Sequence, residues 1–223
     1  MTWASAIKAA IGMSIIAALL FIPAGTLDWR GAWILLAEFA CCGLVLVLWL
    51  KRHDPNLLSK RMGGMFQKGQ VTRDKVIMSF FAIVYFGWLA LMGLDVKRWG
   101  ISHMSEWPMV AGVVLIPLGF LAVGWTFRVN SFAAPVVAIQ ENQTVIDTGP
   151  YRFMRHPMYA GALVYMIGMP LVLGSWLGLA ALPLIVFLLA IRILVEEHVL
   201  KKNLPGYDEY AARVRWRLLP GVW

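Results

Sequence analysis

The chain has 223 residues, of which 60% are hydrophobic and 14% charged, with a mean hydropathy of +0.71. Water-soluble domains run near half apolar and a quarter charged, so this balance argues against a soluble protein and places most of the chain in lipid. The net charge of +8 comes from residues scattered between apolar stretches, which points to cytoplasmic loops rather than a nucleic-acid-binding face.

A membrane span needs roughly 20 apolar residues, and about six stretches qualify. The first runs from Ala4 to Ile22 and stops at Pro23. A signal peptide is the competing reading, but no clear cleavage site follows and Trp29–Arg30 leads into another span, so a retained helix is expected. The second runs from Gly31 to Leu50 and holds the adjacent Cys41 and Cys42. Neighbouring cysteines cannot form an ordinary bridge, and a metal site needs more ligands, so both read as small packing residues. The third span runs from Val76 to Leu94 and the fourth from Trp107 to Phe127. The last two, Met158–Leu173 and Trp176–Val195, are separated only by Gly174–Ser175, which predicts a tight helical hairpin. The 11 Trp and 6 Tyr suit interfacial belts.

Two polar stretches separate these spans. Lys51–Lys75 is rich in Lys and Arg and contains Asp54-Pro55 and Gly63-Gly64, so turns are expected to break it. Arg128–Arg155 mixes Asn130, Gln140, Glu141, Asn142 and Gln143 with Val136-Val137 and Val145-Ile146, and reads as a folded loop able to line a site. The loops near Asp28–Arg30 and Asp95–Glu106 are poorer in cations. The positive-inside rule therefore places both polar stretches and both termini in the cytoplasm, which requires an even number of spans.

Chemistry concentrates in two places. The first is Gly149-Pro150-Tyr151-Arg152-Phe153-Met154-Arg155-His156-Pro157-Met158-Tyr159-Ala160-Gly161. Gly149-Pro150 is a turn signal, and Pro157 suits the first turn of a helix. The free N–H groups of that helix end, with Arg152 and Arg155 before it, would attract an anion. The plain alternative is that the arginines sit at lipid headgroups and His156 is an ordinary interfacial histidine. The second place is Arg192-Ile193-Leu194-Val195-Glu196-Glu197 at the end of the last span. An ionisable group there is costly and marks function by default. Arg192 and Glu196 share a helix face, and the plain alternative is an i,i+4 ion pair with Glu197 solvated. No zinc, P-loop, nucleophile-elbow or dinucleotide motif occurs, and His53, His103, His156 and His198 lack metal-ligand spacing.

Gly149-Pro150-Tyr151, Arg155-His156-Pro157-Met158-Tyr159, Arg192-x-x-x-Glu196-Glu197, Tyr207-x-x-Tyr210 and a final Leu219-Pro220 follow in an order that resembles the isoprenylcysteine carboxyl methyltransferase family and its phospholipid methyltransferase and NnrU-like relatives. The resemblance covers about Arg128 to Pro220. It implies an all-α, polytopic transmembrane helical bundle with a cytoplasmic pocket for S-adenosyl-L-methionine formed by the C-terminal third. It also implies a division into an N-terminal scaffold, 1–103, and a catalytic region, 104–223. The cofactor contacts it implies fall on Gln143, Thr144, Val145, Ile146, Tyr151, His156, Pro157, Met158, Tyr159 and Glu196. Arg192 becomes the substrate-facing residue, and Arg192 and Glu196 the catalytic pair. A glutamine that the carboxyl methyltransferases place upstream falls on Ala138 by the simplest count and on Gln140 by a shifted one, so that contact is open.

The expected activity is methyl transfer to a lipophilic or small-molecule acceptor that reaches the site through the membrane. A carboxylate acceptor is favoured because it needs no general base at neutral pH, and a guanidinium can grip it with two hydrogen bonds. A thiol or an amine remain options, the amine requiring Glu197 or His156 as base. Two other readings compete: an NADPH-dependent sterol-reductase-like enzyme, and a non-enzymatic transporter or scaffold. The reductases carry Arg-Asp-Glu near the last span, where this chain has Glu196-Glu197-His198. Transporters place polar residues at mid-membrane, whereas here they gather at one face. No nucleic acid or metal partner is expected.

Overall fold

The computed structural model describes residues 3–223, with side chains from residue 7 onward; Met1 and Thr2 of the expected 1–103 scaffold lie outside the described residues. Helix α1 spans Trp3–Ala24, α2 Arg30–His53, α3 Pro55–Arg61, α4 Thr72–Gly93, α5 Glu106–Val129, α6 Pro157–Leu173, α7 Trp176–Asn203 and α8 Tyr207–Arg213. Among the described residues there is no strand. Among the described residues five helices are long and apolar enough to cross a membrane, and α6 is a shorter apolar helix, so the fold is the polytopic helical bundle that hydropathy predicts.

The reason for helices is the solvent. Lipid offers no partner for a backbone N–H or C=O, so each spanning segment must satisfy its own. The expected spans are recovered with two instructive differences. Helix α7 does not stop at Val195 but continues to Asn203, so Glu196 and Glu197 stand on helical backbone. Helix α6 has 17 residues, about 25 Å of rise, which falls short of a roughly 30 Å hydrocarbon layer.

Asp54-Pro55 is not the expected turn but a helix start. The Asp54 carboxylate accepts from Leu57 N–H at 2.9 Å, and Pro55 takes the first position, where a missing donor is harmless. The Gly174–Ser175 hairpin forms as expected. Gly174 closes α6 in the left-handed conformation at φ 79°, and Ser175 Oγ accepts from Gly178 N–H at 2.8 Å.

Helices α5 and α6 pack most intimately. A Cβ at Gly119 would lie 2.7 Å from Gly161 O, and one at Gly112 would lie 2.7 Å from Gly168 O. Both pairs are seven residues apart along their helices, so the backbones touch over two turns, the small-residue packing used in lipid. The core joins Leu20, Leu35, Met92, Ile116, Met169 and Ile185 from six helices. Trp88 Nε1–H donates to Gly178 O at 2.7 Å, and Trp29 Nε1–H donates to Leu173 O at 3.2 Å, which pins the N-terminal helices to the hairpin.

Candidate functional site

Two cavities meet where α6 begins. The first is a polar cleft between the 130–146 loop, the Gly149–Arg152 turn, α6, the end of α7 and α8. It holds about 820 Å³ with its open margin, and its lining includes Asn130, Ala138, Gln143, Tyr151, Glu196 and Tyr207. The second is an apolar cavity of about 1320 Å³ with its open margin, among α2, α3, α4, α5, α6 and α7. It is lined by residues such as Leu46, Phe120 and Leu189, and it carries the charged heads of Arg61 and Arg192. Met158 and Tyr159 line both cavities and form the wall between them.

The structure brings nine of the expected residues to the first cleft: Gln143, Thr144, Val145, Ile146, Tyr151, His156, Met158, Tyr159 and Glu196. Pro157 is buried behind them at the start of α6. Arg192 lines the other cavity. Of the two positions left open upstream, Ala138 lines the cleft. Gln140 instead braces the loop: its Nε2 donates to Phe132 O at 2.7 Å and its Oε1 accepts from Lys60.

Glu197 is the hub of the polar end. Its Oε1 accepts from Arg155 Nε at 2.6 Å and lies 3.3 Å from His156 Nε2, and its Oε2 accepts from Arg217 Nε at 2.9 Å. The solvated Glu197 of the plain reading is therefore corrected: it is 3% exposed, because three cationic or protonatable groups compensate its burial. The expected role of Arg155 as an anion attractant is corrected for the same reason, since Glu197 neutralises it. Arg155 Nη1 also donates to Val214 O at 2.7 Å, which ties down the C-terminal tail. Backbone bonds from Arg155 N to Trp216 O and from His156 N to Arg217 O, 2.9 and 2.8 Å, complete that seam. Arg152 is exposed and lines a surface hollow with Arg213 and Pro220, apart from the cleft.

Arg192 and Glu196 do not pair, although they share a face. Arg192 Nε donates to Asp74 Oδ1 at 3.0 Å and its Nη2 to Pro135 O at 2.5 Å. Glu196 Oε2 accepts from Tyr159 Oη–H at 2.6 Å, and its Oε1 has no hydrogen bond among the described residues. Asp74, fully buried on the first turn of α4, accepts from Gln70 Nε2 at 2.8 Å and Val137 N at 2.9 Å as well. Nothing in the sequence marks it, because an acid in a first helical turn ordinarily just complements the helix dipole. Arg61 was equally hidden within a basic loop.

The cleft's tyrosines stay protonated. Burial pushes the Tyr151 phenol above its ordinary range, and its oxygen accepts from Asn130 Nδ2 at 2.6 Å. Burial, then the charges of Glu197 and Glu196, push Tyr207 up as well. Tyr207 Oη is buried and has no partner among the described residues, so an unused hydroxyl lines the cleft. Such an orphan is costly unless a ligand satisfies it.

The phospholipid methyltransferase family profile matches residues 107–205. Protein-S-isoprenylcysteine O-methyltransferase B of Arabidopsis thaliana is 30% identical over 121 residues, 53% of this chain and 59% of that protein. A probable protein-S-isoprenylcysteine O-methyltransferase of Oryza sativa subsp. indica is 28% identical over 149 residues, 65% of this chain and 75% of that protein. Nickel-cobalt-cadmium resistance protein NccN of Alcaligenes xylosoxydans xylosoxydans is 28% identical over 116 residues, 51% of this chain and 54% of that protein. The chain thus spans less than two thirds of the length of two of these relatives. The matched segment begins at α5 and contains both cavity-wall residues and the α7 acids, and over that segment the chain is similar to phospholipid and isoprenylcysteine methyltransferases.

Proposed function

We propose that this protein is an integral-membrane methyltransferase that uses S-adenosyl-L-methionine and methylates a lipophilic acceptor, with a carboxylate as the favoured nucleophile. One observation carries the reading: a polar cleft and an apolar cavity between the spanning helices share a wall at Met158–Tyr159. A polar donor and an apolar acceptor need two such chambers and one meeting point.

The residues of the cleft fit the donor. Tyr207 Oη supplies a buried hydroxyl with no protein partner, Glu196 supplies a free carboxylate oxygen, and Gln143, Thr144 and His156 add polar contacts. When bound, S-adenosyl-L-methionine supplies an activated methyl group on a sulfonium. The protein's task is then alignment, which can be worth on the order of 7–11 kcal/mol of barrier. Tyr159 orients Glu196 from one side of the wall, and its ring lies 5.5 Å from the Arg192 guanidinium on the other. Asp74 and Pro135 fix Arg192 in place, leaving its Nη1 edge for an acceptor carboxylate. In this reading residues 104–223 form the catalytic region and residues 1–103 the scaffold, which also lends Asp74. Both termini and the cleft face the cytoplasm, consistent with the basic loops.

Calorimetry on the purified chain tests the cofactor. Heat with S-adenosylhomocysteine and none with NADPH is expected; the reverse would assign a reductase, and silence with both a non-enzymatic role. Arg192→Lys tests the acceptor grip, because a single ammonium cannot form two parallel bonds. Undiminished methyl transfer by that variant rules out the bidentate role.

A further inference from the structure

The arginines around the two cavities differ in one respect. Arg155 is paired with Glu197 and Arg192 with Asp74. Arg61, from the last turn of α3, contacts no carboxylate among the described residues. Its guanidinium lies 4.4 Å above the centre of the Phe127 ring, donates to Ala133 O at 2.7 Å and reaches Met158 Sδ at 3.4 Å. That last contact puts it against the wall between the chambers, and Arg61 lines the apolar one. Burial disfavours its charge, Tyr165 and Tyr159 partly offset this, and Arg192 adds repulsion. An arginine keeps its proton regardless. The cavity thus ends in one neutralised guanidinium and one uncompensated cation.

We propose that Arg61 is a specificity-determining residue of the acceptor cavity, adding an unneutralised charge to the Arg192 edge so that the two hold the anionic head of an amphiphile beside the Met158–Tyr159 wall. The inference rests on the methyltransferase reading with its carboxylate acceptor and adds a second cation to the recognition of that acid. A protonated amine would meet the Arg61 charge with no carboxylate to balance it, so an aminolipid head is disfavoured. The ordinary alternative is structural: Arg61 pins the 130s loop through Ala133 O. Such a pin is indifferent to the charge of a ligand.

Binding in nanodiscs separates the two, with S-farnesyl-N-acetylcysteine as the acid probe, its uncharged carboxamide, and farnesylamine. The wild-type chain is expected to rank acid above amide above amine. Arg61→Gln and Arg61→Met, the second keeping an apolar stem over Phe127, are expected to weaken acid binding roughly 10- to 100-fold, as for a lost charged hydrogen bond. Amide binding and S-adenosylhomocysteine binding should not change, and Arg61→Lys should restore part of the acid preference. A wild-type chain that does not prefer the acid overturns the proposal without any variant. So does an acid preference as large in Arg61→Gln or Arg61→Met as in the wild type. Because the readout is binding, absence of S-adenosylhomocysteine binding in the wild type would sink the methyltransferase reading separately.

Discussion

Two buried carboxylates close opposite ends of the α6–α7 hairpin, and they are held by different chemistry. Glu197, beside the start of α6, is surrounded by Arg155, His156 and Arg217. Asp95, in the π-helical turn Leu94–Trp99 that follows α4 and lies beside the hairpin turn, is also fully buried but has neutral partners. It accepts from Ser102 Oγ at 2.6 Å, Ser175 Oγ at 2.5 Å and Leu177 N at 3.3 Å, and its Oδ1 has no partner. The charged end bonds residues that also line the cleft, so its geometry is transmitted to the site. The neutral end bonds a turn and a loop, and its geometry goes no further. A buried acid in this molecule therefore marks function by what it orients, not by being buried.

The comparison can be broken most forcefully at Glu197. Glu197→Gln leaves Arg155 without its counter-charge in a nearly solvent-free place, an effect on the order of 3–5 kcal/mol. Thermal unfolding in detergent should fall sharply, and S-adenosylhomocysteine binding should fall with it. An unchanged melting temperature would show that the hub is not a structural charge centre. Gly119→Val comes next, since its side chain would meet the α6 backbone, and overpacking of this kind destabilises by about 1–3 kcal/mol. It should lower the melting temperature and perturb both cavities through α6.

A smaller and more selective loss is expected at the wall. Tyr159→Phe removes the hydrogen bond to Glu196 and should weaken S-adenosylhomocysteine binding about tenfold, on the scale of a charged hydrogen bond. Its melting curve should stay close to wild type; equal losses in stability and binding would make Tyr159 a packing residue. Smallest of all should be Ser175→Ala at the neutral end. It loses the helix cap and one bond to Asp95, about 1 kcal/mol of stability, with cofactor affinity unchanged. A change in affinity there would erase the distinction between the two ends.

Most of the fold was legible because its determinants are local. Apolar run length predicts each span, and Gly174–Ser175 predicts the hairpin from two residues. The cleft was legible as a set of residues, because nine expected positions lie close together along the 143–159 stretch and the end of α7. Its wiring was not. The Arg192–Glu196 spacing suggests a pair, yet each residue finds a partner on another helix. Spacing reports which side chains can meet within a helix, and says nothing of a competitor elsewhere.

By itself, then, the sequence determined a helical membrane protein with its polar chemistry at one end of the last hairpin. Local hydropathy and turn chemistry act over a few residues, so they survive in any one-dimensional reading. Only the tertiary structure decided that Glu197 is the hub, that Asp74 takes Arg192, and that Arg61 reaches Met158. Those contacts join residues 42, 118 and 97 positions apart. The first exists because the hairpin folds α7 back along α6, and the other two because helix packing brings α3 and α4 against α6 and α7, where a buried charge must find a partner or await one.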